Sequence, residues 1–575
     1  MDTNVLYYGD NLEILRKHIP DESIDLIYLD PPFNSSATYN VLFKEPSGKS
    51  SQAQMSAFED TWHWGLESER ALQEIAASPI APAATKEFMS VLSDFVGKKT
   101  PMRAYLTMMC VRLIELRRVL KHTGSIYLHC DPTASHYLKM LMDTIFSPAN
   151  FRNELIWRRT GAHGAQRSYG PIHDTILFYS KADDYYFRVI KQPYMKGHVE
   201  RRYSKDESGE YKFTSGGNVL TGAGATKGES GKPWKGIDPT VKNRHWAIPG
   251  FLTEQMPMGF EKLGTLEKLD QLYAKGLIEI KEGTQWPTPV RYLLEDSGNQ
   301  IQDIWAYQPY TEGTVYGSNE GIDKDVAWLG TTDPERMGYQ TQKPLGLLER
   351  IIMSSCPDEG IVLDPFCGCG TAVVAAQNLK RKWIGIDITH LAIGLMKWRL
   401  KNLTPPAQFI VVGEPKDLTG AEELARQDKY QFQWWAVAEV GGQPYGERKK
   451  GSDTGIDGYL YYMDEKDKIK KAIISVKGGH NANVSMIRDL GHVIDREKAD
   501  IGVFISIDDP TRPMQEEAAM KGFYHSPLGR DYPRIQILTI AQILEGKRPD
   551  IPPWIAPIPK SIAPKSNDSG KPKLL

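Results

Sequence analysis

The chain has 575 residues, 70 Lys plus Arg against 72 Asp plus Glu, and a formal net charge of −2. That length suggests two to four domains, and the composition is that of a soluble globular protein. Near-neutral charge excludes a uniformly basic nucleic-acid coat, so any phosphate contact must come from local patches.

No apolar run is long enough to span a bilayer, and Met1-Asp2-Thr3-Asn4 carries no secretory signal. The five cysteines (Cys110, Cys130, Cys356, Cys367, Cys369) show no paired metal spacing. They read as free thiols of a reducing, cytoplasmic compartment. Val5 to Tyr8 reads as a strand closing on Gly9-Asp10, and Asn11 to His18 as a helix with Leu12, Ile14 and Leu15 inward. Ile24 to Leu29 is an apolar run that predicts a buried parallel strand. It stops at Asp30-Pro31-Pro32-Phe33, because proline cannot continue a ladder. Asp30 then sits at the carboxyl end of a strand, where open α/β sheets hold ligands. A carboxylate, the Pro31 carbonyl and the Phe33 face suit a flat ring bearing an amino group. Each oxygen accepts one N–H and the ring stacks on Phe33. The tetrapeptide alone fits an ordinary strand end and turn equally well.

Ser35 to Phe58 is a long polar stretch and predicts a mobile or functional loop. Trp62, His63 and Trp64 fit DNA contact and core packing alike. Arg103 to Lys121 predicts a helix, Gly124 to His129 a strand, and Tyr137 to Phe146 a helix. This alternation indicates a parallel sheet with crossover helices. His129-Cys130-Asp131 lies at a strand's carboxyl end and reads as structural rather than as a pocket wall. From 151 to 340 short strands (Leu155 to Arg158, Thr175 to Tyr179) give way to Gly-, Lys- and Trp-rich stretches. Phe151 to Gly250 holds 17 Lys plus Arg against 10 Asp plus Glu, which suits a phosphate-facing insertion or a solvated loop region.

The α/β pattern resumes with helix Gln342 to Ser354, strand Gly360 to Leu363, helix Thr371 to Leu379, strand Trp383 to Ile386 and helix Leu391 to Leu400. Asp364-Pro365-Phe366-Cys367-Gly368-Cys369-Gly370-Thr371 is a strand end, a turn and a helix start. Gly368 and Gly370 permit close backbone approach, and the helix start favours an anionic or polar group. Asp387, about 20 residues on, suits the two hydroxyls of a ribose. Cys367 and Cys369 read as small packing residues.

With these residues the chain resembles the amino-methyltransferases of DNA, in the group whose catalytic motif precedes its cofactor motif. Asp30-Pro31-Pro32-Phe33 matches the catalytic box, and Asp364 to Thr371 the S-adenosylmethionine loop. Thr341-Gln342-Lys343-Pro344 matches a box whose Lys lies near the cofactor's amino-acid end. Gly9-Asp10 matches a strand-end acid near its adenine. The resemblance covers Met1 to about Asn402. It implies catalytic Asp30, Pro31 and Phe33, and cofactor-binding Asp10, Lys343, Asp364, Phe366, Gly368, Gly370, Thr371 and Asp387, with no metal. Phe33 stands where Tyr is commoner, and Asp387 where Glu is frequent. The implied fold is a circularly permuted Rossmann-like sheet with an inserted target-recognition region. The implied reaction is methyl transfer to a flipped base of double-stranded DNA. An Asp in the box favours adenine N6; cytosine N4, where Ser is usual, is the alternative. A vestigial DNA-binding fold and an RNA or protein methyltransferase are weaker competitors.

The expected boundaries are a catalytic half at 1–150, a target-recognition insertion at 151–340, a cofactor half at 341–403, a linker at 404–429, a last domain at 430–546 and a disordered tail at 547–575. In the last domain, Gly455-Ile456-Asp457-Gly458 precedes a strand Lys471 to Val476 that ends in Lys477. This resembles the PD-(D/E)xK restriction-endonuclease fold, with Glu439 as its helix acid. Ser475 stands where an acid or Gln is expected, which removes a Mg²⁺ ligand. The resemblance leaves open an active Mg²⁺-dependent nuclease, a domain kept for DNA or partner contact, a restriction partner, and a homodimer. No membrane partner is expected.

Overall fold

The computed structural model describes residues 1–32, 64–161, 169–206, 209–214, 217–280, 286–294, 297–306, 315–317, 321–330, 333, 335–337, 341–445, 455–465 and 468–552. The readings at Phe33, Ser35 to Phe58, Trp62, His63 and the end of the tail lie outside the described residues. Two compact units divide the chain. One is formed chiefly by Met1–Ile190 and the chain from Asp323 onward, the other chiefly by Lys191–Ile301.

The first unit is built on a nine-stranded sheet. Its strands are β1 Val5–Tyr8, β2 Ile24–Leu29, β3 Leu120–Cys130, β4 Phe151–Arg158, β5 His173–Ser180, β6 Ile304–Trp305, β7 Ile361–Asp364, β8 Lys382–Asp387 and β9 Ile410–Val412. Their order is β6-β4-β5-β3-β2-β7-β8-β1-β9. From β3 to β9 every pairing is parallel. β5 runs antiparallel to both β3 and β4. Seven of these strands form the expected Rossmann-like sheet, and the short β6 and β9 extend its edges. The permutation is visible in one pairing: Leu26 of β2 lies beside Val362 of β7, and Ile27 beside Leu363. All six residues of β2 are buried, as its apolar run requires. The exception in type, Asp25, is paired with Lys121 Nζ at 2.8 Å and accepts Ile361 N at 2.9 Å.

The helices flanking this sheet are α1 Asn11–His18, α2 Leu66–Ala77, α3 Ala83–Val96, α4 Pro101–Val119, α5 Ser135–Phe146, α6 Leu345–Ser355, α7 Thr371–Asn378 and α8 His390–Lys401. α4 starts where a cap and a first-turn proline coincide: Thr100 accepts Arg103 N at 3.3 Å, and Pro101 needs no partner for a missing N–H. α2 and α3 are additions to the sequence reading.

The same unit contains a second, smaller α/β layer. It comprises α9 Leu418–Gln427, α10 Lys429–Glu439, β10 Gln443–Pro444, β11 Gly458–Glu465, β12 Lys468–Lys477, α11 Val484–Arg496, β13 Gly502–Ser506, α12 Arg512–Met520, β14 Ile535–Thr539 and α13 Ile540–Leu544. The sheet order is β10-β11-β12-β13-β14, with an antiparallel β11–β12 hairpin feeding parallel β13 and β14.

Three expected boundaries shift. The segment starting at Phe151 is not yet insertion, because β4 and β5 are strands of the large sheet; the second unit begins at Lys191. Residues 404–429 are not a linker: β9 joins the large sheet, and α9 buries Ala421 in the smaller core. The tail does not begin at 547, since Asp550 N donates to Gln536 at 2.7 Å and Asp550 pairs with Arg530 at 2.8 Å.

The second unit holds a four-stranded sheet of Ser204–Lys205, Tyr211–Thr214, Thr288–Tyr292 and Ile278–Glu279, and a hairpin of Thr221–Ala223 with Arg244–Trp246. Trp234, Trp246, Leu252 and Leu272 form its core. Among the described residues no helix is long and apolar enough to cross a membrane.

Candidate active site

Four neighbouring parallel strands, β2, β7, β8 and β1, end at or next to an acid at one edge of the sheet: Asp30, Asp364, Asp387 and Asp10. Strands of one direction present the same end to the same side, so topology alone gathers four acids from distant parts of the chain.

Asp30 is held by Lys343, whose Nζ bonds its Oδ2; both side chains are largely buried. The other oxygen, Oδ1, is buried and has no hydrogen-bond partner among the described residues. A buried acceptor without a donor costs about 1–3 kcal/mol, so it persists where a ligand fills it. Lys343 thus touches both motifs, since its own carbonyl also accepts Thr371 Oγ1 at 3.4 Å. Pro31 is buried beside Asp30, and Phe33 lies outside the described residues.

The Asp364–Thr371 turn is fixed by backbone donors. Asp364 accepts Phe366 N at 3.1 Å, and burial pushes its pKa well above the ordinary carboxyl range. Its ionised form therefore calls for an incoming cation. Gly370 N donates to Cys367 O at 2.7 Å. Gly370 has φ +78°, and a Cβ there would lie 2.5 Å from Met396 Cγ. Only glycine fits this position. Cys367 and Cys369 are buried, as packing groups should be; Cys367 Sγ lies 3.1 Å from Ile386 O.

Asp387 organises the neighbouring corner. Its Oδ2 accepts Gly368 N at 2.9 Å, and its Oδ1 accepts Thr389 N and Thr389 Oγ1, each at 2.9 Å. Burial nevertheless raises its pKa to about 6. A carboxylate has about four lone-pair sites, so these three donors leave about one for a hydroxyl. Asp10 is more fully used. It caps α1 by accepting Leu12 N at 2.8 Å, and pairs with Arg112 at 2.8 Å.

Two residues absent from the sequence reading join the halves. Asn11 Nδ2 donates to Pro365 O at 2.8 Å, and Arg112 Nε donates to Asn11 Oδ1 at 2.6 Å. Asn11 looked like an ordinary first residue of a helix, so no local signal marked it. His129 is fully buried, with Nδ1 2.9 Å from Tyr28 Oη and Nε2 3.2 Å from Asp174. Both ring nitrogens thus meet side chains of the fold. Trp64 packs beneath Arg103, 3.6 Å from its guanidinium carbon, and donates to Glu69.

In the smaller layer the expected nuclease-like residues are Glu439, Asp457 and Lys477. Asp457 is buried and its Oδ2 accepts Val476 N at 2.7 Å. Glu439 does not serve as its helix acid: its carboxylate is drawn to Lys397 of α8 at 2.7 Å. Gln433 instead reaches this strand, donating to Val476 O at 3.3 Å next to Lys477. Among the described residues no group of three or more His, Cys, Asp or Glu is placed to hold a metal.

A family model described as DNA methylase matches residues 24–396, and one described as restriction endonuclease matches 425–525. The chain is similar to the type II methyltransferase M.EcaI of Enterobacter cloacae, with 31% identity over 49% of this chain and 54% of that protein. It is 27% identical to the Mod subunit of the type III restriction-modification enzyme StyLTI of Salmonella typhimurium, over 66% of this chain and 50% of that protein. The chain thus spans about half the length of these curated relatives. A solved DNA modification methylase of Thermus thermophilus covers 72% of this chain and 100% of its own, at 14% identity and a TM-score of 0.31.

Proposed function

We infer the activity from one premise: this chain belongs to the DNA methylase family. The reaction is transfer of a methyl group from S-adenosylmethionine to the exocyclic amine of a base flipped out of duplex DNA, and the base is adenine, methylated at N6. The observation that carries this reading is Asp30 Oδ1, a buried acceptor with no partner among the described residues, at a strand end beside the Asp364 turn.

The residues present fit the cofactor. Asp364 offers a buried carboxylate whose ionised form an amino group would stabilise, and Asp387 keeps acceptor capacity for one ribose hydroxyl. When bound, S-adenosylmethionine supplies an electrophilic methyl group on sulfur. The chain supplies position and electrostatics. Asp30 Oδ1 and the Pro31 carbonyl accept the amine's N–H groups, which turns the nitrogen lone pair out of the ring's conjugation. Phe33 stacks on the base. Lys343 occupies Asp30 Oδ2, which leaves Oδ1 as the acceptor for the amine. Preorganised acceptors of this kind supply much of a catalytic barrier reduction. Asp30 need not take a proton first, because the amine becomes acidic only as the new bond forms.

The Lys191–Ile301 unit is the target-recognition region, and double-stranded DNA is the macromolecular partner. A restriction-modification system is the setting that the relatives' names favour, with the smaller layer kept for contact rather than cleavage. The test is incubation of DNA with labelled S-adenosylmethionine, followed by digestion to nucleosides. Label in N6-methyladenine is expected. Label only in N4-methylcytosine overturns the base assignment, and none in DNA overturns the activity.

A further inference from the structure

The helix that follows the ribose acid is completed by a residue of the other layer. α8 begins at His390, which is buried together with Thr389 and Leu391. A buried helix start leaves backbone donors that need acceptors. Thr389 Oγ1 accepts Ala392 N at 3.2 Å. His390 N is satisfied by Gln431 Oε1 of α10, at 2.6 Å. Gln431 is fully buried, and its Nε2 has no partner among the described residues. It is held there for its oxygen.

The seam around this bond is tight. Trp434 of α10 packs with Leu391 and Leu395 of α8. Lys397 of α8 bonds Glu439 of α10 and Glu414. Gly394 lets the helices touch: a Cβ there would lie 3.1 Å from Ala438 Cβ and 3.0 Å from Pro444 Cγ. From His390 the fixed path runs back to the cofactor turn. Thr389 donates twice to Asp387 Oδ1, and Asp387 Oδ2 accepts Gly368 N. Tyr8, at the end of β1, stacks on His390 with centroids 3.7 Å apart.

We propose that the endonuclease-like layer is a structural part of the cofactor half, with Gln431 as the positioning residue that sets the Asp387 carboxylate through His390 and Thr389. The inference rests on the functional reading above. It gives that layer a role that needs no nuclease chemistry.

The test is calorimetric binding of S-adenosylmethionine to the full chain and to Gln431→Leu, with thermal midpoints and methylation kinetics on the same preparations. Loss of one buried hydrogen bond predicts about a fivefold to tenfold rise in the cofactor Kd and KM. The kcat at saturating cofactor and the KM for DNA hold within about twofold. Gln431→Glu, which keeps an acceptor toward His390 N, recovers most of the affinity. Gly394→Leu wedges the seam and reproduces the loss without touching Gln431; Gly394→Ala gives a smaller one. This pair decides the matter if Gln431→Leu does not fold. Unchanged cofactor affinity in a folded Gln431→Leu or Gly394→Leu chain overturns the proposal, as does a fall in kcat at unchanged Kd. A wild-type chain that binds no S-adenosylmethionine overturns the functional reading instead, and this inference with it.

Discussion

The large sheet and the smaller layer each hold an acid that the sequence marks as a site residue, Asp30 and Asp457, and they use it to opposite effect. In the large sheet Lys343 takes one oxygen of Asp30 and leaves the other buried without a donor among the described residues. In the smaller layer Asp457 accepts a backbone N–H, Glu439 turns away to Lys397, and Ser475 replaces the expected acid. One site stores unspent acceptor capacity; the other has used it to hold its own fold. The open oxygen of Asp30, set against the occupied one of Asp457, is what distinguishes the two motifs.

Substitutions test that contrast. The largest effect is expected from Asp30→Ala, which should lower methyl transfer by about 10²–10³-fold, with cofactor affinity measured by calorimetry nearly unchanged. An undiminished rate would erase the difference between the two layers. Next is Lys343→Met, which leaves a buried carboxylate without its partner. About 3 kcal/mol of stability should be lost, read by denaturant unfolding, along with most of the turnover. Gly370→Ala should follow, destabilising by about 1–3 kcal/mol because φ is positive there and the methyl group meets Met396. A smaller effect is expected from pH. Asp387 titrates at about 6, raised by burial. Its ionised, hydroxyl-accepting form therefore declines as pH falls through that value. Cofactor affinity should weaken below pH 6, by at most about tenfold per unit, and Asp387→Asn should flatten the profile. The smallest is Lys477→Ala: methylation should stay within about twofold, a range that corresponds to less than 0.5 kcal/mol. Supercoiled DNA with Mg²⁺ should stay uncut by either chain. Cleavage abolished by this substitution would show that the smaller layer is not spent.

The acid-bearing edge of the large sheet was legible because its signals are local. Proline after Asp30, glycines after Asp364 and a strand before Asp387 each mark an acid within a few residues of itself. What escaped depends on distant partners. Asn11 meets Pro365 and Gln431 meets His390 only after the sheet has closed, so neither carries a sequence signal. Glu439 was misplaced for the same reason: its spacing suited a helix acid, and only packing against α8 shows where its charge goes. The boundary at 151 failed because the charge surplus was read across β4 and β5; β4 exposes Asn153 and Glu154, while seven of the eight residues of β5 are buried. The helical spacing of Ala421 and Leu424 was hidden by the prolines before it.

β1 has a consequence for biosynthesis. Of the strands described it is the first to leave the ribosome, yet its partners on both sides are β8 and β9, and Asn4 N bonds Trp383 O at 2.7 Å. At roughly 5–20 residues per second, translation of the intervening chain leaves that strand waiting for tens of seconds. The nascent strand is therefore a natural client for chaperones, and a ribosome stalled before Lys382 is added would release a polypeptide whose sheet has no way to close.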